Sequence, residues 1–596
     1  MFTTRPEIQG TFGCVATTHW LGSAAGMAML EKGGNAFDAA VAAGFVLQVV
    51  EPHLVGPAGD VPIIFHSAKT GETSVLCGQG PAPAGATIEH YRAQGIDVIP
   101  GNGLLATVVP GAFDAWLTLL RDHGELELST VLEPAIGYAL NGHPIVPGAV
   151  EAIRKARGMF EAEWKTSAPI YLPGGAVPEP RSLFRNEPLA RMWQRVLAEA
   201  ASAATREGRI EAARNCFRQG FVAEAIDRFF RDAEAMDQTG RRHKGVLSGQ
   251  DLATWQASYE APLTYDYLNH TVCKTGPWGQ GPMFLQSLAI LRGIDLSAMD
   301  PCGGDFVHVV NETLKLAFAD REVYYGDPNF VSVPIETLLS DAYASARRAQ
   351  IGRTASLDLL PGRIAGYEDQ VERGLALLAG FNERNLGDES NEPTLAEMLS
   401  APKGDTTHID VVDSKGNMIA AMPSGGWLQS SPTIPELGFA LNSRAQMFVL
   451  EPGLPTSLLP GKRPRTTLTP SFVLRDGRPY MAFGSPGGDQ QEQWALITFL
   501  RHVHYGLNLQ EAIELPMFHT RHVPSSFYPR TSAPGHLLCE ESFGPAVLDD
   551  LRARGHEVEV APEWTVGRMV AVSNAGDGIL RAAATPRLMQ AYAVGR

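Results

Sequence analysis

Residues 406 to 422 carry the pattern that most constrains this chain. Ile409 and Val411 point one way with Thr407, whereas His408, Asp410 and Val412 point the other with Thr406. That two-residue period predicts a strand opening at Thr406. Asp413 to Asn417 is a turn-forming cluster, and Met418 to Met422 is a second apolar run, so the stretch reads as a β-hairpin. Upstream, Asn382 to Asp405 is polar and poorly periodic.

Composition narrows the class. The chain has 596 residues, 44% hydrophobic and 19% charged, an ordinary soluble makeup that can bury a large core. Its formal charge is −16 and no Lys/Arg block occurs, which argues against nucleic acid or an anionic membrane as partner. The acidity reads as solubility. Cys14, Cys77, Cys216, Cys273, Cys302 and Cys539 are scattered without a CxxC pair, and no HExxH occurs. Neither a metal nor another cofactor is expected. The first residues lack the basic-then-apolar pattern of a signal peptide, and the early apolar run Ala39 to Val50 is too short to span a bilayer. A cytoplasmic setting is expected.

Phe12 to Thr18 reads as a strand, Ser23 to Lys32 as a helix, and Ala36 to Val50 as a second helix, apolar nearly all round. Gly56 to Asp60 is a tight loop, and Gly78 to Gly85 is an irregular one read as a connection. Leu189 to Arg231 is helical in character. After another Gly/Pro loop at Thr275 to Pro282, helices are expected at Met283 to Leu291, Phe306 to Tyr325 and Ser340 to Ile351. Arg353 to Lys403 is the best linker candidate.

Past Thr406 the texture changes to short strands. Ser471 to Arg475 and Pro479 to Phe483 flank Asp476-Gly477, a strong hairpin signal. That hairpin leads into Gly484-Ser485-Pro486-Gly487-Gly488-Asp489 and then a helical run from Gln490 to Tyr505. Strand, glycine loop and helix start together make an anion site, suited to phosphate or to an oxyanion, although a plain tight turn also fits. No Gly-Lys-Ser/Thr follows, so it is not a P-loop.

Taken together, Thr406-Thr407-His408, Lys462-Arg463-Pro464 with Thr466-Thr467, and Gly484 to Gly488 resemble motifs of the γ-glutamyltranspeptidase family. Gly33 to Ala42, Ala317 to Arg321 and Gly326 to Pro328 extend the likeness over nearly the whole chain. The resemblance implies an α+β fold, the four-layer αββα sandwich of the N-terminal-nucleophile hydrolases. It also implies self-cleavage between Asp405 and Thr406. Residues 1–405 then form a large fragment, with 360–405 as a flexible linker, and 406–596 a small one, associated as one intertwined unit that can form a homodimer. The new N-terminal threonine is the nucleophile. Its own amine, with a reference pKa of about 7.7–8.0, is the base. Gly487 and Gly488 would supply the oxyanion hole, Ser424 would orient the amine, and Thr466 and Thr467 would bond a substrate carboxylate.

Departures from the family pattern are equally informative. Gln79 stands where the family has its γ-glutamyl-binding arginine, Met447 where it has the acidic residue that holds the α-amino group, and Gly426 where it has an asparagine. Asn442-Ser443-Arg444 with Phe448 is similar instead to the branch containing oxamate amidohydrolase and the glutaryl-cephalosporin acylases. A guanidinium suits a carboxylate, so Arg444 is expected to bind one on the acyl donor. Asp489 is a pocket-lining or helix-capping candidate, His408 a packed strand histidine, and Trp427 and Trp494 core or pocket wall. The expected activity is amide hydrolysis or acyl transfer on a small carboxylate-bearing amide, with water or an amine as acceptor. Alternatives are a γ-glutamyl hydrolase or transpeptidase with altered recognition, and an unprocessed binding protein.

Overall fold

In the computed structural model, which describes residues 2–383 and 406–596, the patterned stretch forms a hairpin of Ile409–Asp413 and Met418–Ala421. The strand opens three residues later than the alternation predicts. Thr406 meets the sheet through a single bridge to Ser424. Between them Thr407 donates twice to the Pro423 carbonyl, from N and from Oγ1, at 3.0 Å each. Pro423 has no N–H with which to continue the ladder.

Both faces of this strand are buried. Ile409 and Val411 pack into a core shared with helices, and Val412 into a second core lying between two sheets. Each sheet has seven strands, antiparallel throughout. One runs in the order Tyr592–Gly595, Gly13–Thr17, Ile409–Asp413, Met418–Ala421, Val61–Ser67, Glu72–Gly78, Ser258–Glu260. The other runs Ile8–Gly10, Leu580–Ala584, Val570–Asn574, Arg478–Gly484, Ser471–Arg475, His270–Lys274, Leu263–Tyr267. Helices cover the outer face of each sheet through its own apolar core. The result is the α+β, four-layer αββα sandwich. Both sheets interleave strands from either side of residue 405, so the two halves share both central layers.

Helix Ala36–Val50 is buried along its whole length between the first sheet and helices Trp20–Glu31 and Leu128–Asn141. Asn35 opens it with a capping box, worth about 1 kcal/mol. Asp413 fixes its start to the hairpin turn. Its Oδ2 accepts from Ala36 N and Asn417 Nδ2, and its Oδ1 from Lys415 N and Asn417 N, all at 2.9–3.0 Å. Asp476 and Gly477 both take positive φ, +52° and +75°, as a two-residue hairpin turn requires.

The linker expectation needs correcting over part of its length. Glu368–Glu383 is a helix, and its Val371, Leu378 and Phe381 are buried in apolar clusters. Charge of both signs and the glycines Gly374 and Gly380 hid an amphipathic spacing there. Residues 384–405, including Asp405, lie outside the described residues. No helix among the described residues is long and apolar enough to cross a membrane.

Candidate active site

The site grows from three neighbouring backbone segments. Thr406 bridges to Ser424, and Ser424 bridges to Asp60, both antiparallel. Asp60 N donates to Ser424 O at 2.9 Å and Ser424 N to Asp60 O at 3.0 Å. Residues directly opposed in antiparallel pairs project to one face. Thr406, Ser424 and Asp60 therefore form a row about 10 Å long at ordinary strand spacing. The Thr406 and Ser424 hydroxyl oxygens are 3.3 Å apart.

Asp60 holds Arg444. Arg444 Nε donates to both carboxylate oxygens, at 3.1 and 3.2 Å, and the guanidinium carbon lies 5.1 Å from the Trp427 ring centroid. The pair is buried, at 1% exposure each. Arg444 Nη1 and Nη2 are buried with no hydrogen-bond partner. Leaving charged donors unpaired in a buried site is costly. Trp427, Met447 and Phe527 form an apolar cluster beside it.

On the other side of Thr406 lies the glycine loop between strand Arg478–Gly484 and helix Gln491–Tyr505. Gly487 has φ +135°, and a Cβ there would fall 2.4 Å from the Trp494 ring. Only glycine fits. A Cβ on Gly484 would meet the His408 ring at 2.4 Å, so this glycine lets the loop close onto the Thr406 strand. A short 3₁₀ turn at Gly488–Gln490 aims the helix start at Thr406. Gln280, from the other Gly/Pro loop, ties the parts together. Its Nε2 donates to the carbonyls of Thr467 (2.8 Å) and Gly488 (3.0 Å).

The structure brings Thr406, Ser424, Gly488, Thr467 and Gln491 into direct contact, with Arg444 reached through Asp60. The Thr467 hydroxyl is buried without a partner, whereas Thr466 Oγ1 accepts from Leu468 N and stiffens its own turn. Gln79 is fully buried, its Nε2 on Gly80 O and its Oε1 without a partner.

The expectation for Asp489 requires correction. Its carboxylate receives Arg321 Nη1 (2.5 Å), Ser526 Oγ (2.7 Å) and Ser526 N (2.8 Å). Burial pushes this carboxyl up, but Arg321 and the Ser526 bonds outweigh it and hold it below its ordinary value. It anchors the segment that presents Phe527 rather than offering a free oxygen to substrate. His408 is fully buried and bonds Asp410 at 2.9 Å; burial raises that carboxyl to about 6.

Asp60 and Gln280 were not singled out by sequence reasoning. Both sit in glycine-rich loops, and their partners at the site, Arg444 for Asp60 and Thr467 and Gly488 for Gln280, lie far along the chain. Among the described residues, one group brings metal-type donor atoms within 4.8 Å of one another: His308, Glu312 and His556. There His308 Nδ1 and His556 Nε2 bond each other at 2.8 Å, and the Lys315 ammonium sits 2.6 Å from Glu312 in the place a cation would take. This cluster supplies nothing to the Thr406 site.

Comparison with known proteins accounts for the assembly. The Gamma-glutamyltranspeptidase family profile matches residues 22–595. The Acylase ACY 1 proenzyme of Pseudomonas sp. (strain SE83) is 31% identical over 586 residues, covering 96% of this chain and 92% of that one. The structure of LmbA2991 is 52% identical, with a TM-score of 0.92 and full coverage of both chains. Cephalosporin acylase from Bacillus halodurans is 26% identical at a TM-score of 0.82, covering 100% of this chain and 98% of that one. The αββα layers, the glycine loop facing a buried threonine and a family match spanning almost every residue lead to one conclusion: this chain is an enzyme of the γ-glutamyltranspeptidase family.

Proposed function

We propose that the protein cleaves itself before Thr406 and then hydrolyses, or transfers the acyl group of, a small amide whose acyl part ends in a carboxylate. The observation that carries the substrate reading is the buried, unpartnered Nη edge of Arg444, fixed by Asp60 in the row that contains Thr406.

The mechanism follows from the parts. The amine freed on Thr406 takes the proton of its own hydroxyl as Oγ1 attacks the amide carbon. Base and nucleophile on one residue need no further ordering. The developing oxyanion falls on the N–H groups of Gly487 and Gly488, at a helix start, where one such donor is worth about 10²–10³ in rate. The leaving nitrogen takes the proton from the amine. Water, or an amine acceptor, then attacks the acyl-threonine by the same steps reversed. Ser424 steadies the Thr406 end, and Arg444 holds the carboxylate.

A γ-glutamyl donor also carries an α-ammonium group, which needs a carboxylate. Asp60 and Asp489 are committed to Arg444 and to Arg321, and Met447 offers none. The six cysteines are unpaired, in keeping with a reducing, cytoplasmic setting.

Two measurements test the reading. Intact mass spectrometry after incubation at neutral pH should show fragments 1–405 and 406–596, and Thr406→Ala should remain one chain. Oxamate and glutaryl amides should be turned over in preference to a γ-glutamyl anilide. Efficient turnover of the γ-glutamyl anilide alone would refute the substrate assignment.

A further inference from the structure

The carboxamide of Gln491 lies inside the site. Its oxygen faces Gly488 N at 3.0 Å and Thr406 Oγ1 at 3.2 Å, and its nitrogen faces the Thr467 carbonyl at 3.2 Å. Turned the other way, its oxygen would oppose the Thr467 oxygen, acceptor against acceptor, so hydrogen-bond pairing fixes the orientation. The side chain is buried and springs from the first turn of helix Gln491–Tyr505, which holds its backbone still.

A scissile amide awaiting attack must meet two conditions. Its oxygen lies about 2.7–3.1 Å from the oxyanion donors, and its carbonyl stands about 3–3.5 Å from the nucleophile. Gln491 Oε1 satisfies the first against Gly488 and accepts from Thr406 Oγ1 at 3.2 Å, so it fills the place of the amide oxygen beside the nucleophile without presenting its carbon for attack. We propose that Gln491 is an internal occupant of the scissile-amide seat: its carboxamide holds the place of the substrate's amide, and an acyl donor enters by displacing it. The pattern carries over to the substrate. The seat offers an N–H to the amide oxygen and a carbonyl to the amide nitrogen, so it is built for an amide that keeps at least one N–H. This rests on the reading of Thr406 as nucleophile.

Displacement lowers the apparent affinity of any donor by the fraction of molecules with an open seat. Three buried hydrogen bonds of ordinary net strength put the closed-to-open ratio at about ten or more. Removing the side chain should recover that factor.

The test uses the processed enzyme and p-nitrophenyl acetate, a donor without a carboxylate that therefore bypasses Arg444. Acylation joins the acetyl carbon to Thr406 Oγ1, breaks the ester C–O bond and releases p-nitrophenolate, while the hydroxyl proton passes to the Thr406 amine. Gln491→Ala should acylate about tenfold faster than the wild type at subsaturating ester, read from the p-nitrophenolate burst. Peptide mass spectrometry should locate the acetyl group on Thr406. Acetamide should slow the variant by refilling the seat. N,N-dimethylacetamide, which has no N–H for Thr467, should not. Equal or slower acylation of the variant would overturn the occupant role, and equal slowing by both amides would overturn the N–H requirement. If the alanine variant fails to mature, Gln491→Ser carries the same comparison. Acetylation only at residues other than Thr406, in both proteins, would overturn the nucleophile reading itself and the seat with it.

Discussion

Replacing Arg444 by lysine separates recognition from scaffolding. In the native site Nε holds Asp60 while Nη1 and Nη2 stand unpartnered. A lysine ammonium can answer Asp60 but cannot also present two coplanar donors to a carboxylate. The variant loses at least one charge-assisted hydrogen bond, worth about 1.5–3 kcal/mol. At about 1.4 kcal/mol per decade this is about a 10- to 150-fold fall in kcat/KM. Alanine is the poorer probe. It strands the Asp60 carboxylate, 1% exposed, at a cost of about 3–5 kcal/mol in stability. The assay compares kcat/KM for a carboxylate-bearing amide and for its analogue with a methyl group in place of the carboxylate. Arg444→Lys should penalise the first and spare the second, with self-cleavage intact by electrophoresis. Equal losses on both donors, or none on either, would refute the reasoning.

Gly487→Ala sets a Cβ against the Trp494 ring at a φ of +135°, so it should lower kcat by about 10²–10³ and reduce the melting temperature, both measurable on purified protein. Asp413→Ala removes four hydrogen bonds at the hairpin turn and the start of helix Ala36–Val50, and should cost about 2–4 kcal/mol in urea unfolding. Glu51 is fully buried between Thr18 and Gln590, and burial raises its carboxyl to about 8. With the folded pKa above the unfolded one, the native state holds the extra proton. Its contribution is complete below about pH 4.5 and is lost as pH rises through 8, with a slope of up to about 1.4 kcal/mol per pH unit between. Glu51→Gln should therefore match the wild type in thermal melts at pH 5 and be the more stable of the two at pH 9.

Local rules made much of this legible. Asn35 marks a helix start that the structure places at Ala36, Asp476-Gly477 marks a turn that needs two positive φ angles, and Gly484 and Gly487 sit where backbone and ring meet too closely for any side chain. What was hidden is non-local. Asp60 enters the site through two single bridges, which leave no periodicity to read. The Asp489 carboxylate looked available until Arg321, 168 residues away, was seen to hold it. Helix Glu368–Glu383 was lost because charged residues and two glycines break up its apolar positions. The role of a residue type shows in sequence, whereas the identity of its partner is set only by the fold.

The interleaving of both sheets across residue 405 has a consequence for the lifetime of the enzyme. An uncut chain that unfolds can refold on its own, at a rate independent of concentration. A chain cut before Thr406 has two pieces that must find each other again, and the loose fragments expose strand edges that aggregate. Cutting would thus turn a reversible equilibrium into a one-way loss, so that persistence is governed by the height of the unfolding barrier rather than by the free-energy difference. It also imposes an order: the strands on both sides must already be woven together before the bond is cut.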